Sequence, residues 1–150
     1  MRYFIYTIIG VVAAAIIGGF FVVGSPTEAR LRAFDERRIQ DLQTIQWQIM
    51  NFYQSKSRLP NALSELTDSI SGFVAPKDPQ IKEDYGYEIK GAFSFSLCAT
   101  FNRPSSGGTD LNIARPMPMN GGISENWNHS AGNVCFDRTI DPELYPPYPK

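Results

Sequence analysis

Few side chains in this sequence have the types and spacing to do chemistry, and the two cysteines are the most informative. Cys98 falls in an alternating stretch, Phe93, Phe95, Leu97, Ala99 and Phe101 against Ser94, Ser96, Cys98 and Thr100, and Cys135 in a second, Val134 and Phe136 against Cys135, Asp137 and Thr139. Alternation puts each thiol on the face opposite the apolar one. If both strands lie on one helix, both thiols point to the outer side of one sheet. A bond between them would stabilise by about 4 kcal/mol on the chain-entropy account. The alternative is two unpaired thiols in strands. Two distant cysteines and the lone His129 are too few for a zinc site.

Other candidates are weaker. His129 has Ser130 and Cys135 near it in sequence, but no nucleophile elbow or orienting carboxylate accompanies them. Asn128-His129-Ser130 fits a glycosylation acceptor, a pattern frequent by chance. Asp78, Glu83, Asp84 and Glu88 could gather around a calcium ion, yet they lack EF-hand spacing and read as a solvated acidic cluster. Gly107-Gly108 and Gly121-Gly122 do not sit between a strand and a helix, so no phosphate loop is indicated. No catalytic residue, cofactor or metal site is expected, and a net charge of −1 offers nucleic acid no basic patch. The remaining candidates are contact residues. Trp127 and the tyrosines of the Tyr145-Pro146-Pro147-Tyr148-Pro149 tail are possible partner anchors, while Trp47 is expected to pack in the core. A tail without a partner is the alternative for residues 141–150.

The elements that position these residues begin with an uncharged apolar run from Tyr3 to Val23. Its length suits one crossing of a ~30 Å hydrocarbon layer, and it is longer than the ~7–15 residues of a signal-peptide core. Residues 1–24 are therefore expected to be a retained single-pass anchor, with a cleaved leader as the alternative. The orientation signals disagree. Arg30, Arg32, Arg37 and Arg38 follow the run and favour a cytoplasmic domain by the positive-inside rule, whereas a cysteine pair suits an oxidising outer compartment. An extracytoplasmic domain is the favoured expectation.

Ser25, Pro26 and Glu28 read as the capped start of a new helix. Its first turns are charged and read as a stalk between the bilayer and the domain, or as a surface that pairs with a neighbour. From Ile39 the apolar positions Leu42, Ile45, Ile49, Phe52 and Tyr53 form one buried stripe, leaving Arg37, Gln40, Asp41, Thr44, Gln48 and Asn51 solvated. Leu63 and Leu66 face inward from a short second helix. Tyr85, Tyr87 and Ile89 begin a hairpin that turns at Lys90-Gly91, and its Phe-rich face is expected to lie on the long helix. Residues 102–133 form a long irregular loop at the base of the cysteine pair, and the proline-rich 141–150 should be extended. The fold class is α+β, with one small domain at residues 25–140.

The stretch Ile49 to Tyr53, Leu59-Pro60, Leu63, Leu66, Pro76-Lys77-Asp78-Pro79 and Tyr85-Gly86-Tyr87, behind an apolar N-terminal helix, resembles type IV pilins and type II secretion pseudopilins. The resemblance covers about residues 25 to 101 and implies a pilin-like α+β domain and assembly of copies. Gly19-Phe20 is the nearest match to the family's processing site, and Gly24 stands where the family has glutamate. The chain is also similar to small single-pass proteins of candidate-phylum bacteria, which implies no activity. The expected function is a non-enzymatic envelope protein that contacts the lipid bilayer and other envelope proteins or copies of itself. The alternative is an anchored ligand-binding or accessory module that does not form filaments.

Overall fold

The computed structural model describes residues 2–23, 25–105 and 126–149. The chain is α+β, with helices α1 (Arg2–Val23) and α2 (Pro26–Lys56), a 3₁₀ turn at Leu63–Leu66, and strands β1 (Gly86–Ile89), β2 (Ser94–Phe101) and β3 (Gly132–Thr139). It divides into two compact units, Met1–Ala33 and Phe34–Lys150.

In the first unit, α1 is a 22-residue helix whose described side chains, Tyr3, Phe4 and Ile9 among them, are exposed. Among the described residues no helix is long and apolar enough to cross a membrane. Proline suits the first position of α2 because an N–H there would be unsatisfied anyway. The Ser25 carbonyl accepts the first helical bond from the Ala29 N–H at 3.2 Å, and its hydroxyl pairs with that of Thr27 at 2.6 Å. Gly24, just before this expected helix start, lies outside the described residues.

In the second unit the core forms where α2 meets the sheet. Leu42, Ile45, Ile49 and Tyr53 recur at helical spacing and bury one stripe of α2. Phe95, Leu97, Ala99 and Phe101 recur at every second position of β2 and bury its inner face, joined by Phe136 and Ile140. Leu59, Leu63 and Leu66 close one side. The helix stops at Lys56 because Ser57 takes a left-handed backbone (φ 57°), with its N–H donating to the Tyr53 carbonyl at 2.7 Å. Phe93 is 42% exposed rather than core, since it lies in the hairpin turn, but its ring meets Tyr53 edge-on at 5.8 Å.

The sheet is antiparallel with order β1-β2-β3. On its outer face the rows run Gly86, Cys98, Cys135 and Glu88, Ser96, Asp137. Ser96 lies on the face opposite the Phe face, as expected, and is buried there, because it is short and the longer Glu88 and Asp137 flank it on both neighbouring strands. Gly86 has a steric reason: a Cβ there would stand 2.9 Å from the Cys98 Cβ.

Three charged residues overturn expectations. Asp35 and Arg38, assigned to a charged stalk, and Asp41, assigned to the solvated face, are all buried. Arg38, 2% exposed, donates from Nε and Nη2 to Asp78 at 2.6 and 3.1 Å, from Nη1 to Asp35 at 2.8 Å, and from Nη2 to Gln80 at 2.9 Å. Asp35 also accepts the N–H groups of Asn102 and Arg103 at 2.9 and 3.0 Å. Asp41 accepts the Tyr85 hydroxyl at 2.9 Å and pairs with Arg37 at 3.1 Å. Burial and this bond to Asp41 push the Tyr85 phenol well above its ordinary range. The charges are tolerated inside because each has partners.

Burial pushes the Asp78 carboxyl up, but hydrogen bonds from Arg38 and from the Ile81 and Gln80 N–H groups outweigh it, and the group ends below its ordinary range. A carboxyl depressed in the folded state adds stability above its unfolded pKa of about 4 and loses it as pH falls through the lower folded value. Asp78→Asn is expected to cost about 3–5 kcal/mol in urea unfolding at neutral pH, because it strips a buried guanidinium of its bidentate partner. The same substitution should flatten the loss of stability below about pH 4.

Candidate functional site

The sequence candidates fall in three places on the second unit. The first is the outer sheet face, where Cys98 and Cys135 occupy directly opposed positions with Cα atoms 4.0 Å apart and are joined as a disulfide. Alternation along β2 and β3 turns both side chains away from the Phe face, and Gly86 leaves the Cys98 side of the row without a covering side chain. The bond closes 37 residues of chain. At the base of that loop the His129 N–H donates to the Ser105 hydroxyl at 3.1 Å and the Ser105 N–H to the His129 carbonyl at 2.9 Å. Most of the irregular loop expected at 102–133 lies outside the described residues.

The second place surrounds Trp127, which is half-buried. Its ring lies 4.8 Å from Phe136, and the Arg138 guanidinium sits over it at 4.2 Å. His129 stacks on Phe101 at 3.6 Å. These rings cover the far end of the sheet's inner face, so Trp127 has an intramolecular role in packing. Arg138 is oriented by donating to Gln46 on α2 at 2.9 Å and to the Asn126 carbonyl at 3.1 Å.

The third place is a cavity of about 270 Å³ between α2 on one side, with Gln43, Gln46, Trp47 and Met50, and the sheet and the segment that follows β3 on the other, with Phe95, Arg138, Thr139, Ile140, Asp141 and Tyr145. Its lining is mainly apolar. Trp47, expected in the core, is 58% exposed at its rim, because it stands off the buried stripe and nothing in the second unit covers it among the described residues. Tyr145 packs partly against the core from a turn in which its N–H donates to the Asp141 carbonyl at 2.9 Å.

The tail beyond this turn does not simply extend. The Tyr148 N–H donates to the Gln54 carbonyl at 2.8 Å, and its hydroxyl meets the Gln54 amide at 3.3 Å. The tail thus satisfies a carbonyl of the last turn of α2 and forms one bank of the groove.

The acidic residues considered for calcium are not brought together. Asp78 is buried on Arg38, Asp84 pairs with Lys77 at 3.2 Å, and Glu88 with Lys90 at 2.7 Å. No group of three metal-ligating side chains gathers among the described residues. Arg138 and Gln46 were not singled out as site residues, although the alternation of β3 places Arg138 on the inner face.

The two tryptophans should separate in mutagenesis. Trp127→Ala is expected to cost about 2–3 kcal/mol, because it removes a half-buried ring from Phe136 and Arg138, while Trp47→Ala should stay within about 0.5 kcal/mol. Urea unfolding followed by circular dichroism measures both. Reduction of the disulfide is expected to cost about 4 kcal/mol in the same assay. No protein-family model matches this chain, and no curated protein or solved structure matches it.

Proposed function

We propose that this chain is a non-enzymatic, single-pass envelope protein that presents its α+β unit outside the cytoplasm and acts by assembly or by contact with other envelope proteins. The observation that carries the proposal is the uncharged run from Tyr3 to Val23 within one helix, Arg2–Val23. Its 22 residues reach about 33 Å, enough for one ~30 Å hydrocarbon layer. The uncharged run in the sequence is longer than the part of it whose side chains are described. The joined cysteines favour an oxidising compartment over the cytoplasm. The order of elements, an apolar helix, a long helix on an antiparallel sheet and a cysteine-closed loop, adds the pilin-like resemblance.

An accessory module that does not form filaments is the second reading, favoured by Gly24 where the filament-forming families carry glutamate. Both readings share the same topology, which one experiment tests. A membrane-impermeant thiol reagent is applied to intact cells with and without prior reduction. Labelling only after reduction is the expected result. Labelling that needs lysis but no reductant would overturn the extracytoplasmic placement, and release of the protein by alkaline carbonate would overturn the anchor.

A further inference from the structure

The two halves of the disulfide stand in unlike places. Cys98 belongs to the central strand and is half-buried between β1 and β3, whereas Cys135 belongs to β3, an edge of the sheet among the described residues, and is exposed. Their strand neighbours Leu97, Ala99 and Phe136 point into the core on the other face. The bond can therefore be reached with the core closed.

Thiol–disulfide exchange requires a thiolate to reach one of the two sulfurs, and access decides which one it attacks. On the Cys98 side the row continues to Gly86, where an added Cβ would stand 2.9 Å from the Cys98 Cβ and 3.6 Å from its sulfur. A place too tight for a methyl group is too tight for a sulfur and the carbon that carries it. Ser96, the next outer-face residue along β2, is buried as well. On the Cys135 side the row ends at the sheet edge, and the outer-face neighbours along β3, Asn133 and Asp137, are both exposed.

We infer that Cys135 Sγ is an exchange centre, at which an external dithiol–disulfide partner opens and closes the Cys98–Cys135 bond on the folded sheet, with Cys98 as the resolving thiol. In the opening direction a partner thiolate attacks Cys135 Sγ. A mixed disulfide forms, the Cys98–Cys135 bond breaks, and Cys98 leaves as a thiolate that takes a proton from water. The partner's second thiolate then attacks the partner sulfur of the mixed disulfide. Cys135 is freed as a thiolate, likewise protonated by water, and the partner is left as a disulfide, oxidised by the two electrons that the chain has gained. Closing is the reverse: the Cys135 thiolate attacks the partner's disulfide, and Cys98, directly opposite with its Cα 4.0 Å away, resolves the mixed disulfide without rearrangement of the strands. An oxidising compartment drives the closing direction. None of this depends on the anchor at residues 1–24.

The test uses the full chain, with its bond intact, in detergent micelles at mildly alkaline pH, and mercaptoethanol as the attacking thiol. Early samples are blocked with N-ethylmaleimide, and peptide mass mapping locates the mercaptoethanol adduct. Adduct on Cys135 with maleimide on Cys98 is expected in about tenfold excess over the reverse pairing. Adduct divided evenly, or in excess on Cys98, overturns the inference. Exchange on the folded sheet also requires an opening rate that stays flat in urea below the unfolding transition. A rate that climbs with urea along the slope of global unfolding shows that the bond is reached only in the unfolded chain, and overturns it equally.

Discussion

A guanidinium that stays charged cannot be buried without acids around it, and Arg38 makes that demand on the second unit. Burial disfavours its charge, yet hydrogen bonds to Asp78 and Asp35 hold its pKa above the ordinary value, so the charge is fixed. Its acids come from its own helix and from the loop before β1, and Asp35 in turn binds the backbone just after β2. Two segments distant in sequence are thereby set against one turn of α2. One turn further on, Asp41 and Tyr85 repeat the arrangement with a neutral donor. The buried face of α2 is thus polar where it meets these loops and apolar where it meets the sheet. Removing an ionic partner costs more than such a pair adds to stability, which makes the cluster a device that fixes placement more than one that adds stability.

The rest of the unit follows from where this clamp leaves the sheet. With the loop before β1 and the end of β2 both held to α2, the Phe face of β2 can only turn toward Leu42, Ile45 and Ile49. The cysteines must then look outward. The side of β3 that carries Ile140 and Arg138 is left facing the flank of α2, and the tail turn closes that flank through Tyr145. The groove is consequently a gap between elements whose positions are set elsewhere, walled by a tail that also finishes the helix.

The apolar pattern made most of this architecture legible. The stripe from Leu42 to Tyr53, the inward Leu63 and Leu66, the hairpin turn at Lys90-Gly91 and the opposed cysteines all follow from local period. Asp35, Arg38 and Asp41 did not, because a periodicity count treats charge as outward, and the partners that reverse this lie 40 or more residues away, at Asp78, Tyr85 and Asn102. Trp47 failed in the opposite sense. Its bulk suggested core, but its position off the stripe decided the outcome. For Trp127 and the tail, composition showed only aromatic and proline residues in irregular chain, and tertiary contact shows that Arg138 and Gln54 receive them.

The separation of the two cysteines also orders events during synthesis. α2 leaves the ribosome well before Asp78, so Arg38 meets only water and its helical neighbour Asp35 at first. Cys98 then waits through 37 further residues for a partner. With no third cysteine in the chain, it has no wrong intramolecular choice during that interval. Pairing of β2 with β3 is a long-range step, and its register sets Cys98 directly opposite Cys135. The bond therefore ties together two strands whose register already sets its residues opposite each other.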